Sequence, residues 1–136
     1  MKTAKFQSIL TIQKKKNGWK INLPPQPGEI YDAFFQYDDG TGGKYRPVLV
    51  METDSGLFVA VAIKVTTSKP IKGYTDPIHT SRLLIKDWKA AGLSKKSYAQ
   101  CSTFDLFKYV HLKRYIGKLT SSDFQDIYNE YLKYTS

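Results

Sequence analysis

Between Glu29 and Val65 the chain carries three runs of β-forming residues, separated by polar, glycine-bearing breaks too short to hold a crossover helix. The runs are Glu29 to Tyr37, Arg46 to Glu52 and Leu57 to Val65, with Thr53-Asp54-Ser55-Gly56 as the turn between the last two. Short breaks make neighbouring strands antiparallel, so this stretch reads as the opening of a small barrel or a curled sheet. An aromatic share of 14%, with ten tyrosines, suits such strands.

The first break is Asp38-Asp39-Gly40-Thr41-Gly42-Gly43, running through Lys44-Tyr45 into Arg46-Pro47-Val48-Leu49-Val50. Pro47 fixes its own φ and biases Arg46 toward extended backbone, so a strand starts there with the arginine at its mouth. The glycines let the loop bend and let a ligand approach the backbone. This junction is either a hairpin loop followed by a surface arginine, or a guanidinium held on a rigid strand beneath a mobile flap. The second arrangement suits phosphate, which the planar fork of arginine matches with two parallel hydrogen bonds. If the second and third strands form a hairpin, topology brings Thr66-Thr67-Ser68 near Arg46, either as turn-capping hydroxyls or as phosphate ligands.

Beyond Val65 the pattern predicts a short strand over 76–80, one or two helical turns over 85–91 stopped by Gly92, and a long bent strand over 97–109. A last strand follows over 115–119. The helix after it is well marked: Thr120 can cap it, Asp123 favours its dipole, and Phe124, Ile127, Tyr128, Tyr131 and Leu132 form one apolar stripe. The fold class is α+β, mainly β.

Residues 1–27 read as a separate basic arm, either a hairpin around Asn17-Gly18 or a short helix, fenced off by Pro24-Pro25-Gln26-Pro27-Gly28. The domain proper is 28–136. The net charge of +9 belongs largely to the arm, because six lysines precede the first acid, Glu29. Without them 15 basic residues face 12 acids, a net of +3. The arm either touches phosphate or is simply solvated.

Other chemistries find little purchase. Cys101 is alone, and His79 and His111 lie far apart, so no metal-ligand spacing and no disulfide framework exists; no metal or other cofactor is expected. There is no phosphate-binding Walker loop, dinucleotide fingerprint or nucleophile elbow. No apolar run is long enough for a membrane span and the N-terminus lacks a signal-peptide pattern, which points to a soluble cytoplasmic protein without membrane contact.

The order Gly28-Glu29-Ile30-Tyr31, glycine loop, Arg46-Pro47-Val48-Leu49-Val50, Val65-Thr66-Thr67-Ser68, Ile85 to Leu93, and Ile116-Gly117-Lys118-Leu119 before a final helix resembles the MazF/PemK (Kid-like) toxins, PemK-like branch. The resemblance covers roughly residues 28 to 134. It implies a small SH3-like antiparallel barrel of the CcdB/Kid/MazF type with a short mid-chain helix and a C-terminal helix, acting as a homodimer. It also implies a metal-independent endoribonuclease on single-stranded RNA, in which a ribose 2′-hydroxyl attacks its own phosphate, restrained by an acidic antitoxin. On this resemblance Arg46 would stabilise the phosphorane or donate a proton and Thr67 would hold a phosphate oxygen. RNA contacts would come from Thr41, Lys44, Tyr45, Ser68, Lys69, Gln100 and Ser102.

Two departures stand out. Relatives often carry Glu-Gln or His-Glu in the loop, where this chain has Gly40, Thr41 and Gly42, and several have Arg-Cys-Asp where it has Gln100-Cys101-Ser102. Asp38, Asp39 and His79 are the groups left to act as general base. A relative on the same scaffold that binds RNA or protein without cutting, as CcdB-like inhibitors block a topoisomerase, is the alternative. Deleting residues 1–25 is expected to leave a cooperatively folding domain with weaker RNA binding. A truncated chain without a cooperative unfolding transition would put the arm in the core.

Overall fold

A computed structural model of the protein describes residues 23–135. The arm expected over 1–27 lies outside them except for its last residues. Six strands follow: β1 (Glu29–Gln36), β2 (Gly43–Asp54), β3 (Val59–Thr66), β4 (Arg82–Leu84), β5 (Tyr98–Lys108) and β6 (Arg114–Lys118). Among the described residues there are also two α-helices, α1 (Pro77–Thr80) and α2 (Ser121–Leu132), with a 3-10 turn at Tyr109–His111 between β5 and β6.

The strands make one sheet in the order β4-β5-β3-β2-β1-β6, every neighbouring pair antiparallel. The order begins at β4 and ends at β6, so among the described residues the expected small SH3-like barrel is an open sheet whose ends are not joined by ladder hydrogen bonds. The mainly β, α+β class stands.

The meander β1–β2–β3 is apolar on both faces. Ile30, Leu49, Met51, Ile63 and Val65 pack with Ile85, Leu93 and the α2 residues Ile127 and Tyr131. Their alternating neighbours Tyr31, Ala33, Phe35, Val48, Val50, Ala60 and Ala62 pack with Phe107 and Leu112. Two-residue alternation serving two cores is why these runs read as almost continuously hydrophobic.

Three register shifts bend the ladder, one of them in the β1–β6 pair between Ile30 and Tyr31. The β2–β3 register shifts between Val50 and Glu52, and Glu52 accepts a hydrogen bond from the Tyr131 hydroxyl at 2.7 Å. That contact ties α2 to the sheet and, with burial as the larger cause, pushes the Tyr131 phenol upward. The β3–β5 register jumps from Ile63↔Phe104 to Lys64↔Gln100, so residues 101–103 bulge out of β5. This is the bend expected in the long strand.

The middle of the chain departs from expectation. Residues 76–80 are not a strand: Asp76 accepts from the His79 backbone N–H at 3.2 Å and Pro77 occupies the first turn, which makes α1. Conversely, 85–91 forms turns instead of the mid-chain helix. The Lys86 and Asp87 N–H groups bond to the Asp123 carboxylate at 3.3 and 2.8 Å, so the α2 acid expected to serve its own helix caps this segment instead. Thr120 does cap α2, accepting from the Asp123 N–H at 3.2 Å. Of the predicted stripe, Ile127 and Tyr131 are buried, whereas Leu132 is exposed.

The turn over 85–92 presses its backbone onto β6. A Cβ at Gly117 would collide with the Ala91 carbonyl, and one at Gly92 with the Ile116 carbonyl. Gly117→Ala is therefore expected to cost about 2 kcal/mol or more, because both partners are backbone. Gly40→Ala, at φ +75 with nothing within 4 Å, should cost only the backbone strain of about 1 kcal/mol. Denaturant unfolding of both variants checks the order.

Candidate functional site

Arg46 lies on β2, two residues before Val48, and shares its face of the sheet. Val48 pairs with Lys64 on β3, Lys64 with Gln100 on β5, and Gln100 with Arg82 on β4. Directly paired residues point to the same side of a sheet, so register alone lines Lys64, Gln100 and Arg82 in a row beside Arg46. The row crosses the place where the β5 bulge begins.

The side chains use this alignment. The Arg82 Nε donates to Gln100 Oε1 at 2.9 Å, and Gln100 Nε2 donates to the Thr103 hydroxyl inside the bulge. Lys64 Nζ reaches both oxygens of Asp38 at 3.2 and 3.3 Å, and Gln100 Nε2 lies 3.4 Å from Asp38 Oδ1. Burial, then the nearby Arg46 guanidinium, hold the Lys64 ammonium below the usual lysine range; Asp38 pulls the other way and Arg82 adds to the depression. Arg46 is half-buried, and among the described residues its Nε has no hydrogen-bond partner. A buried guanidinium N–H without an acceptor is costly, which marks this as a place where an anion would be stabilised.

The glycine loop reaches the row through Asp38. It spans 37–42, shorter than expected, because Gly43, Lys44 and Tyr45 already belong to β2. Tyr37 N–H donates to Gly42 O, Gly40 N–H to Tyr37 O, and both the N–H and the hydroxyl of Thr41 donate to Asp39. Those two bonds hold the exposed Asp39 carboxyl below its ordinary value.

Other residues singled out in the sequence take varied places. Thr41, Lys44 and Tyr45 are exposed, Tyr45 edge-on to Phe34 with ring centres 5.7 Å apart. Thr67, Ser68 and Lys69 are exposed just past the end of β3. The β2–β3 register, continued by two residues, sets Thr66 opposite Arg46, with Thr67 next along the chain. The Thr66 hydroxyl accepts from the Ser68 N–H at 3.1 Å. Ser102 bonds to the Ser81 hydroxyl and the Pro77 carbonyl, each at 2.9 Å, and so ties α1 to β5. His79 is engaged on α1, its Nδ1 2.9 Å from Asp76 and its ring against Tyr74.

Lys64 and Arg82 escaped the sequence reading. Lys64 did leave a signal, being the one charged residue in the run Leu57 to Val65, where a solvated charge would have no room. Arg82 left none, since its place depends on β4 pairing across the sheet.

Among the described residues no group of three or more His, Cys, Asp or Glu side chains could hold a metal ion, and no helix is long and apolar enough to cross a membrane. A family model for PemK-like, MazF-like toxins of type II toxin–antitoxin systems matches residues 26–133, in agreement with the resemblance read over 28–134. A solved endoribonuclease from a mycobacterial species superposes with a TM-score of 0.60 at 16% identity, covering 83% of this chain and 92% of that one. For MazF from Deinococcus radiodurans the TM-score is 0.61 at 15% identity, with 82% and 96% covered. A mycobacterial endoribonuclease in complex with its cognate antitoxin gives 0.55 at 21%, with 82% and 94% covered. At these identities the likeness is one of fold. A comparison with curated proteins found no match.

Cys101, although it sits in β5 at the bulge, is buried, and burial pushes its thiol up to about 12. It is a core residue with almost no thiolate at neutral pH. Iodoacetamide at pH 8 should label the native protein at least on the order of a hundredfold more slowly than the unfolded chain. Equal rates would mean that the thiol is accessible.

Proposed function

The chain belongs to the PemK-like, MazF-like toxins of type II toxin–antitoxin systems, and from that membership and the Arg46 site we propose that it is an endoribonuclease cleaving single-stranded RNA without a metal ion. The observation that carries the reading is the buried Arg46 Nε, without an acceptor among the described residues and near Lys64. In the reaction a ribose 2′-hydroxyl loses its proton and attacks the adjacent phosphorus. The bond to the 5′-oxygen breaks, leaving a 2′,3′-cyclic phosphate and, once that oxygen is protonated, a free 5′-hydroxyl.

The group that needs help is the doubly charged phosphorane. Arg46 supplies a fixed, pre-oriented charge there, worth most in a site shielded from water. Thr67, exposed just beyond β3, holds a phosphate oxygen through its hydroxyl. Lys44, Tyr45, Ser68 and Lys69 lie on the exposed rims on either side and provide charge and a stacking ring for flanking nucleotides. Gln100 is buried and contributes to the floor beneath them, and Ser102 acts indirectly, by fixing α1 against β5.

Protein partners belong to the same reading. Leu57, Phe58 and Val110 are 71%, 66% and 70% exposed, and Phe58 meets Tyr109 edge-on, so the β2–β3 turn and the segment after β5 share an apolar surface. Such a patch suits a protein contact, here a second copy of the chain or the antitoxin. An acidic antitoxin segment would compete with RNA for the basic row by charge.

Arg46→Ala is expected to lower cleavage of a long unstructured RNA by on the order of a hundredfold or more, and Arg46→Lys to recover little, because the fork geometry is lost. Thr67→Val should cost less, on the scale of one neutral hydrogen bond of roughly 1 kcal/mol. Chelator should leave the rate unchanged, and a 2′-deoxy sugar at the cut site should abolish it. Equal cleavage by wild type and Arg46→Ala would sink the assignment. Binding without cleavage by wild type would favour the non-cutting alternative, which the uncharged Gln100-Cys101-Ser102 supports.

A further inference from the structure

The floor beside Arg46 is already occupied by an anion, and that anion belongs to the protein. The Asp38 carboxylate bridges Lys64 Nζ and Gln100 Nε2, with the guanidiniums of Arg46 and Arg82 close enough to act on the same ammonium. Lys64 is the cation bonded to this carboxylate, and Arg46 and Arg82 lie near enough to act on Lys64. Lys64 and Gln100 are only 5% and 0% exposed, whereas the Asp38 side chain is 31% exposed. Asp38 is therefore the outer member of the group and stands between solvent and the two donors.

A carboxylate and a phosphodiester make similar demands. Each offers two anionic oxygens, and the donors that satisfy one satisfy the other. The remaining polar contacts of the loop are local, from Tyr37 to Gly42, Gly40 to Tyr37 and Thr41 to Asp39. Among the described residues, the polar tie between its tip and the sheet is thus the Asp38 carboxylate. Gly40 and Gly42 both adopt positive φ, +75 and +152, and open space surrounds Gly40. The β1–β2 ladder ends at the Gln36–Gly43 pair, so withdrawing Asp38 would leave its pairing intact.

We propose that Lys64, Gln100 and Arg82 extend the Arg46 site into a phosphodiester-binding pocket in which Asp38 is a resident counter-anion that a phosphate of the RNA displaces. The proposal rests on the RNA-cleaving reading for the identity of its ligand. Its consequence is an intrinsic brake. Only the fraction of molecules with Asp38 withdrawn accepts a phosphate at Lys64, and apparent affinity falls by that fraction. Asp38 would then be a gate, and its removal should strengthen binding, opposite to the loss of cleavage with unchanged binding expected of a general base.

The test compares wild type, Asp38→Asn and Asp39→Asn. Asp39→Asn makes the same change in net charge on the same loop, but at a carboxylate bonded to Thr41. Fluorescence anisotropy with a non-cleavable 2′-O-methyl single-stranded RNA should show about tenfold tighter binding for Asp38→Asn and less than about a twofold change for Asp39→Asn. Adding Lys64→Gln to Asp38→Asn should remove the gain. Equal gains from both aspartates would reduce the effect to overall charge, and weaker or unchanged binding by Asp38→Asn would overturn the proposal. Thermal unfolding with inorganic pyrophosphate provides a readout that does not require RNA. If no form binds the oligonucleotide but pyrophosphate stabilises Asp38→Asn more than wild type, the pocket stands and the RNA reading fails. If neither probe separates the two forms, displacement is wrong. A gain confined to a polyglutamate peptide would assign the pocket to an acidic protein segment and overturn it as a phosphate site.

Discussion

The structure depends on a three-strand meander that is apolar on both faces. With one core under α2 and the 85–93 turns and another under Phe107 and Leu112, β2 and β3 have no solvated side at their centre. A polar side chain there must find a partner within the protein, because an unpaired buried charge costs several kcal/mol. Lys64 and Gln100 are the two such residues in the row beside Arg46, and each is satisfied by something brought from elsewhere: Asp38 from the β1–β2 loop, Arg82 from β4, Thr103 from the bulge. The site exists because the sheet leaves these groups nowhere else to go.

The same constraint explains how the site is held. The bulge at 101–103 lets Gln100 remain in register with Lys64 while turning Thr103 back toward it. Helix α1, with its Ser81 and Pro77 contacts to Ser102, braces the bulged segment from outside. On the other side of the sheet, Asp123 caps the 86–87 turn and the Tyr131–Glu52 bond fixes α2 over the β2 bulge. Two of the three irregularities of the ladder thus have their own anchors, and the basic row rests on the strands they hold. Under the proposed reaction, a fixed electrostatic floor of this kind would stabilise a developing phosphorane.

The departure of this chain from its relatives is compatible with that view. Gln100 stands where several relatives carry arginine, yet two guanidiniums and an ammonium from β2, β4 and β3 converge on the same place. Positive charge is supplied by the sheet row instead of by one residue of β5. The loop correspondingly provides Asp38, whose carboxylate accepts from the Lys64 ammonium.

Much of the fold was legible in the sequence. The three central runs, their antiparallel order, the bent β5, β6 and the capped α2 follow from two- and three-to-four-residue periodicities and from turn chemistry, which are local properties. Arg46 on an extended run was legible as well, biased by Pro47, but β2 begins three residues earlier than expected, at Gly43. The middle of the chain was misread where a distant residue overrode the local signal: Asp123 takes the N–H groups of 86–87, and the Gly92–Gly117 contact decides how that segment lies. The Asp76–Pro77 pair carried a helix-start signal that a strand assignment passed over. The site divides in the same way. Sequence by itself determined that Arg46 would lie on a strand following a glycine-bearing loop, because dihedral restriction acts between neighbours along the chain, and it left open whether that arginine is a surface group or part of a site. Only the tertiary structure decided that Lys64, Gln100, Arg82 and Asp38 meet beside it, because cross-strand register joins residues up to 62 apart in sequence and no local periodicity encodes it.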